Sequence, residues 1–172
     1  LAPKSFNHYR SLLMKSPIVL LLAVALSSPF AALAATDAHD HGKSSPHKLE
    51  LNAGKKWGTD DALRQAMSTI HTSVSQILPK AHSGKAKAAD YEAFSKDVTA
   101  QVAYIVENCK LDPQADAQLH IIVADIMSGV EAAEGKEGEK QRASGVVKIA
   151  QASNAYGKHF DHAGWKAIQL PH

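Results

Sequence analysis

Residues 59–79, TDDALRQAMSTIHTSVSQILP, decide the fold class of this chain. The large apolar side chains of this stretch recur at alternating intervals of four and three residues, the spacing of one buried helix face. These side chains are Leu63, Met67, Ile70, Val74 and Ile77. Thr59 is a suitable N-cap residue and Pro79 a helix breaker, so the stretch predicts an amphipathic first helix between these two positions.

Three further segments show a helical spacing of apolar residues. They predict helices over about residues 88–110, 113–133 and 139–160. Asp112 and Pro113 suit the N-cap and the first helical position of the third helix. No segment alternates between apolar and polar residues as a strand does. Because short loops make successive helices antiparallel, we predict an all-α fold, an antiparallel up-down-up-down four-helix bundle over residues 57–164.

The beginning of the chain has the features of a secretory signal. Met14 and Lys15 precede an apolar core over residues 18–26, and Ala32-Leu33-Ala34 fits the small-x-small cleavage rule. This core is shorter than the about 20 residues that a membrane span needs. We predict an upstream extension and a cleaved signal peptide over residues 1–34, a periplasmic location and no membrane span in the mature chain. An uncleaved membrane anchor is the alternative.

Removal of residues 1–34 would change the net charge. The whole chain of 172 residues has 19 basic and 17 acidic residues. Residues 1–34 contain three basic and no acidic residues, which leaves 16 basic and 17 acidic, a net charge of −1. The mature chain therefore lacks the basic excess typical of nucleic-acid-binding proteins, and we expect no nucleic-acid partner. The single cysteine also excludes a framework of internal disulfides.

Two polar segments flank the predicted bundle. Residues 35–56 show no apolar period and are predicted to form a disordered tail, and residues 165–172 a short C-terminal tail. His39 and His41 lie in the first of these segments. Two histidines at this spacing can bind Cu(II), Zn(II) or Ni(II), although short histidine tracts are also common in solvated tails.

Most sulfur and imidazole side chains are predicted to lie at one end of the bundle. The antiparallel order places the starts of helices 1 and 3 beside the ends of helices 2 and 4. This end carries Met67, Cys109, His120, His159 and His162, with His71 one turn deeper than Met67. Ligands of this kind suit copper or another soft transition metal, although each of them could also be core filler or a solvated side chain. We predict a metal site there.

Two motifs resemble a known family of periplasmic four-helix bundles. The apolar spacing over residues 63–77 is similar to the first helix of cytochrome b562. Asn154-Ala155-Tyr156 resembles the motif that precedes the axial histidine of that family. The resemblance covers about residues 60–162. It implies a bundle fold, a periplasmic location and b-type haem as the cofactor.

The resemblance also assigns haem ligands. Met67 would match the axial methionine of the family, while the position of the axial histidine is occupied by Gly157. Glycine has no side chain that could ligate iron, so His71 or His120 would have to supply the second ligand, or the site would have to shift in register.

Two classes of function follow from these observations. The first is a periplasmic binding protein that holds a soft metal or b-type haem at one end of the bundle, for carriage, buffering or electron transfer. The alternative is a cofactor-free structural or accessory protein that contacts another envelope protein. The sequence contains no nucleophile elbow, phosphate-binding loop or HExxH motif, so we do not expect an enzyme. A Cys109 nucleophile paired with His120 is the one enzymatic alternative.

Overall fold

The structure, a computed structural model, describes residues 48–170. In this range the protein is all-α, with four α-helices, one 3₁₀ turn and no strand. The helices are α1 (Asp61–His82), α2 (Ala88–Asn108), α3 (Pro113–Ala133) and α4 (Arg142–His159), and the 3₁₀ turn Glu139–Gln141 precedes α4. Each helix packs against the next one along the chain, and α1 also packs against α4.

The core is built from the helix faces that the apolar spacing indicates. All five apolar side chains named above for α1 are buried. On α4 the buried residues include Val146, Ile149, Ser153 and Tyr156, again at helical spacing. Burying these faces is the main source of stability, because each large apolar side chain contributes about 1.5–3 kcal/mol when it leaves water.

Both ends of α1 differ from the prediction. The N-cap is Asp60 instead of Thr59, and Asp60 Oδ1 accepts the N–H of Leu63 at 2.7 Å. Pro79 does not end the helix, which continues to His82. A proline in the last turn removes only one N–H donor, and its own carbonyl still accepts the N–H of Ser83 at 3.1 Å.

Two glycines bring α3 and α4 into backbone contact. A Cβ added to Gly145 of α4 would lie 2.4 Å from Ala133 N and 2.5 Å from Gly129 O. A Cβ added to Gly129 of α3 would lie 2.5 Å from Ile149 Cγ1. Such distances leave no room for side chains, so the two helices interlock at these positions. The contact fixes the rotation of α4 about its axis, and with it the direction in which Tyr156 points.

The segment before α1 packs against the bundle. Asn52 and Lys55 close a tight turn through two backbone hydrogen bonds. Trp57 is only 7% exposed. Its backbone N–H donates to the His159 carbonyl, and its carbonyl accepts the backbone N–H of Asp161, both at 2.8 Å. Residues 48–56 of the predicted disordered tail are therefore held in place by several hydrogen bonds. The burial of the Trp57 side chain directly after them anchors the segment to the core.

The segment after α4 also packs against the bundle, although a C-terminal tail was predicted from residue 165. Asn154 holds Ile168 at both backbone atoms: its Oδ1 accepts the N–H at 2.7 Å and its Nδ2 donates to the carbonyl at 2.9 Å. The side chain of Ile168 is buried. One apolar anchor and one amide side chain thus hold residues 161–170, which we call the C-terminal segment, on α4.

The predicted upstream extension and signal peptide (residues 1–34) lie outside the described residues, as do His39 and His41. Within residues 48–170, no helix combines the length and the apolar character needed to cross a membrane.

Candidate functional site

Two of the predicted ligands meet aromatic residues on the side of the bundle formed by α1 and α4. The rings of His71 and His162 both lie 5.0 Å, centroid to centroid, from the indole of Trp165. Tyr156, which is fully buried, lies 4.9 Å from the same indole. We call these four residues the histidine–tryptophan cluster. Ser68 adjoins the cluster, and together with both histidines it lines a shallow surface pocket of about 290 Å³.

Hydrogen bonds engage both ring nitrogens of His162. Tyr156 Oη lies 3.0 Å from Nδ1, and Ser68 Oγ lies 3.3 Å from Nε2. Because the buried Tyr156 hydroxyl has no other partner among the described residues, it donates to Nδ1, and Nε2–H donates to Ser68. Burial lowers the pKa of His162, and Arg64 and His71 lower it further. The neutral imidazole that this arrangement requires is therefore the favoured form at neutral pH.

Gly157 lies directly beneath Trp165. A Cβ at position 157 would lie 2.1 Å from Trp165 Cδ1 and 2.2 Å from Nε1, so only glycine lets the indole pack on α4. Any side chain there, an axial histidine included, would displace the indole. Met67, the position of the axial methionine, is fully buried in the core. The residues at these two positions do not fit a haem held in the way that the resemblance implies.

Cys109 is tied to the start of α1. Its thiol donates to Asp60 Oδ1 at an S–O distance of 3.6 Å, and the N–H of Lys110 donates to Asp60 Oδ2 at 2.6 Å. Burial raises the pKa of Cys109 to about 12, and the charge of Asp60 and this hydrogen bond add to the effect. Burial also raises the pKa of Asp60, but the N–H donors of Lys110 and Leu63 outweigh it and bring that pKa below its usual value. Cys109 is thus a neutral thiol at neutral pH.

Cys109 and His120 line the same surface pocket, of about 230 Å³, between α2 and α3. Most of its other wall residues are apolar: Ile105, Val106, Leu119 and Val123, with Asp116 beside them. His120 Nδ1 donates to the Asp116 carbonyl at 2.9 Å. In the neutral ring Nε2 carries the lone pair, and it has no hydrogen-bond partner in residues 48–170, while Asp116 Oδ2 lies 3.4 Å from Nδ1. The ring is 73% exposed, so this nitrogen is open to a ligand.

The remaining predicted ligands lie apart from this Cys109–His120 pocket. Met67 is enclosed by the core. His159 donates from Nδ1 to the Ala155 carbonyl at 2.8 Å, on the side where the backbone pairs with Trp57. No three His, Cys, Asp or Glu side chains form a group able to hold a metal ion in the part of the chain that the structure describes. Of the predicted ligands within residues 48–170, Cys109 and His120 line one surface pocket, His71 and His162 line another, Met67 lies in the core, and His159 lies in none of these places.

Three residues that shape these sites were not among the site residues predicted from the sequence. Asp60 was visible in the sequence only as an acidic residue at a helix start, with no sign that it reaches Cys109. Tyr156 was expected on the apolar face of the fourth helix and in a motif that resembles cytochrome b562, but not as part of a site. Trp165 was assigned to a tail, although a large aromatic residue three positions after His162 is a usable signal for a segment that folds back.

No protein-family description, curated protein or solved structure matches this chain. The resemblance to cytochrome b562 thus stays an interpretation of two sequence motifs. What the protein does has to be inferred from the geometry of its own side chains.

Proposed function

We propose that this protein is a non-enzymatic binding protein that holds a soft metal ion, Cu(I), in the Cys109–His120 pocket, for carriage or buffering. The observation that supports it most is that a thiol and an imidazole with an unengaged nitrogen line one partly exposed pocket. Thiolate and imidazole are the ligands that copper prefers among protein side chains.

The composition of the pocket favours Cu(I) over zinc. A structural zinc site takes four protein ligands and a catalytic one takes three, whereas Cu(I) can be two-coordinate, with one soft thiolate and one imidazole nitrogen. Ile105, Val106 and Leu119 line the walls and would exclude water from an ion held between sulfur and nitrogen. On binding, the proton of Cys109 leaves to the solvent and its hydrogen bond to Asp60 is lost.

The orientation of His120 supports its role as a ligand. Its Nδ1–H donates to a backbone carbonyl, which fixes the ring and its tautomer and leaves Nε2 as the donor atom to the metal. His162 lacks this freedom, because Tyr156 and Ser68 occupy both of its nitrogens. Within residues 48–170, His159 Nε2 also has no hydrogen-bond partner, but His159 does not line the pocket.

Anaerobic titration with Cu(I) against a competing chelator tests the proposal. We expect one Cu(I) per chain, with an affinity reduced at least about tenfold in both Cys109→Ser and His120→Ala, a loss of about 1.4 kcal/mol or more. His82→Ala, an exposed histidine at the other end of α1, is the matched control and should bind like the wild type. Wild-type affinity in both pocket variants would contradict the proposal.

A periplasmic location and an up-down-up-down topology belong to the same proposal. Residues 14–34 have the signal-peptide pattern that supports export. The topology is supported by helix ends that meet. Asp60, before α1, bonds to Lys110, after α2, and Thr59 Oγ1 donates to the carbonyl of Asp161, after α4. These two contacts support an antiparallel packing of α1 against both α2 and α4.

The second candidate is a cofactor-free accessory protein of the envelope. It is favoured by the hydrogen bond from Cys109 to Asp60, which already gives the thiol a structural role in joining α1 to α2. If the wild type takes up no Cu(I) while Cys109→Ser lowers the free energy of unfolding, this candidate replaces the first.

A further inference from the structure

We propose that the protein self-associates into a two-fold symmetric dimer through the outer face of α2, the occupant of this face being a second copy of the chain. The outer face comprises Glu92, Lys96, Ala100, Ala103, Val106 and Glu107, all exposed. The outer face shares Val106 with the wall of the Cys109–His120 pocket but contains neither proposed metal ligand, so the proposal does not rest on metal binding.

The outer face of α2 is not covered by another helix within residues 48–170. The opposite face of the helix is buried on the core through Tyr91, Phe94 and Val98. The packing of α3 against α2 is less extensive than its packing against α4. The side chain of Val106 is 74% exposed, the larger of the two values for exposed large apolar residues among residues 48–170. Lys96, Ala100 and Ala103 line a shallow groove of about 570 Å³, which Glu134 at the end of α3 borders on one side.

The order of residues along this face is self-complementary. Lys96, Ala100, Ala103 and Glu107 are spaced by four, three and four residues and so share one side of the helix. Their chemical order is basic, small, small, acidic. An antiparallel second copy therefore places Lys96 opposite Glu107 and Ala100 opposite Ala103, each pair occurring twice. A parallel copy would place Lys96 against Lys96, so the charges select the antiparallel arrangement.

The charges on this face are available for such pairing. Neither Lys96 nor Glu107 forms an ion pair within residues 48–170, although other surface charges of the chain do. The two alanines allow the helix axes to approach closely, and Val106 would pack along the edge of the contact. Since one pair of helices buries less than the roughly 1,600 Å² of a standard interface, we expect a dissociation constant in the micromolar range or weaker.

Sedimentation velocity of the full chain, from micromolar to about millimolar concentration and with a copper chelator present, tests the proposal. Lys96→Glu places a second carboxylate opposite Glu107, and Glu107→Lys places a second ammonium group opposite Lys96. Each variant alone should dimerise at least about tenfold more weakly than the wild type. Mixed together, the two variants should form a heterodimer, because every facing pair is then of opposite charge. Lys158→Glu on α4 is the control and should dimerise like the wild type.

Recovery of association in the mixture supports the proposal, because a general effect of charge on solubility would not produce it. A wild type that is monomeric over the whole range overturns it. So does a Lys96→Glu variant that associates as strongly as the wild type, or a mixture that stays monomeric. Because the measurement is made without copper, loss of the metal site leaves these outcomes unchanged, and so the two proposals fail separately.

Discussion

The histidine–tryptophan cluster and the Cys109–His120 pocket carry similar side chains in opposite conditions. In the cluster, both nitrogens of His162 are engaged, and His71 Nε2 donates to the Lys166 carbonyl at 2.9 Å. In the pocket, Cys109 has one partner, while His120 keeps an exposed nitrogen without a partner among the described residues. His162 is thus satisfied by its own chain, whereas His120 offers a nitrogen to a ligand beside a thiol.

The difference comes from the C-terminal segment. Residues 161–170 lie on the side of α1 and α4 and supply Trp165 and the Lys166 carbonyl. The groove between α2 and α3 receives no such segment from residues 48–170. An imidazole whose hydrogen bonds are completed by its own chain contributes to stability, whereas one that keeps a free lone pair beside a thiol is available for binding.

The largest expected effect concerns the contact that closes the cluster. Gly157→Ala should lower the free energy of unfolding by about 2–3 kcal/mol, because the new Cβ displaces the Trp165 indole. In a Trp165→Ala background the same substitution should instead raise it by up to about 1 kcal/mol, the helix preference of alanine over glycine. Urea unfolding followed by circular dichroism measures both values.

Gly58→Ala serves as the control, since a Cβ at that position would meet no atom within 4 Å. Its effect should stay within about 0.5 kcal/mol. If Gly157→Ala were as mild as this control in the wild-type background, the packing of Trp165 on α4 would be disproved.

A smaller effect is expected at Asp60, which joins the pocket to α1. Asp60→Ala removes the cap of α1 and the acceptor for the Lys110 N–H, and should cost about 1–2 kcal/mol. Asp60→Asn keeps a capping side chain but removes the charge. The pKa of Cys109 should therefore fall in this variant while staying above its ordinary value, because burial is its largest cause. Iodoacetamide should then alkylate Cys109 faster at a fixed alkaline pH.

Asp112→Asn is matched to this change, because Asp112 caps α3 in the same manner. The rate of alkylation should be that of the wild type in this control. Equal rates of alkylation in Asp60→Asn and the wild type would show that the charge of Asp60 does not raise the pKa of Cys109.

The smallest expected effect is the pH dependence that arises in the cluster. Because the pKa of His162 is lower in the folded protein than its ordinary 6.5, the unfolded chain binds the proton more readily. The free energy of unfolding should therefore decrease as the pH falls below about 6.5, by less than the 1.4 kcal/mol per pH unit of one full proton. His162→Gln should flatten this decrease. If the decrease persisted in His162→Gln and disappeared in His120→Gln, it would arise from His120 and not from the cluster, and the prediction would be wrong.

The sequence predicted the helices well because helix formation is local. The spacing of apolar residues in α1 depends on 3.6 residues per turn, and all five predicted side chains are buried. The N-cap of α3 at Asp112 is also as predicted, since a cap bonds only two or three residues ahead. The prediction failed at Pro79, where the cost of one lost hydrogen bond proved too small to end the helix.

Neither the pairing of side chains at the two sites nor the path of the flanking segments followed from the sequence. Asp60 meets Cys109 across 49 positions, and His71 meets Lys166 across 95. Such contacts depend on how each helix is rotated about its axis, which Gly129 and Gly145 fix for α3 and α4 by backbone contact. Local periodicity therefore determined the helices and their buried faces. Only the tertiary structure decided that both nitrogens of His162 are engaged while His120 keeps Nε2 exposed in a pocket that it shares with Cys109. A hydrogen bond needs atoms within about 3 Å of each other, and that depends on the packing of the whole bundle.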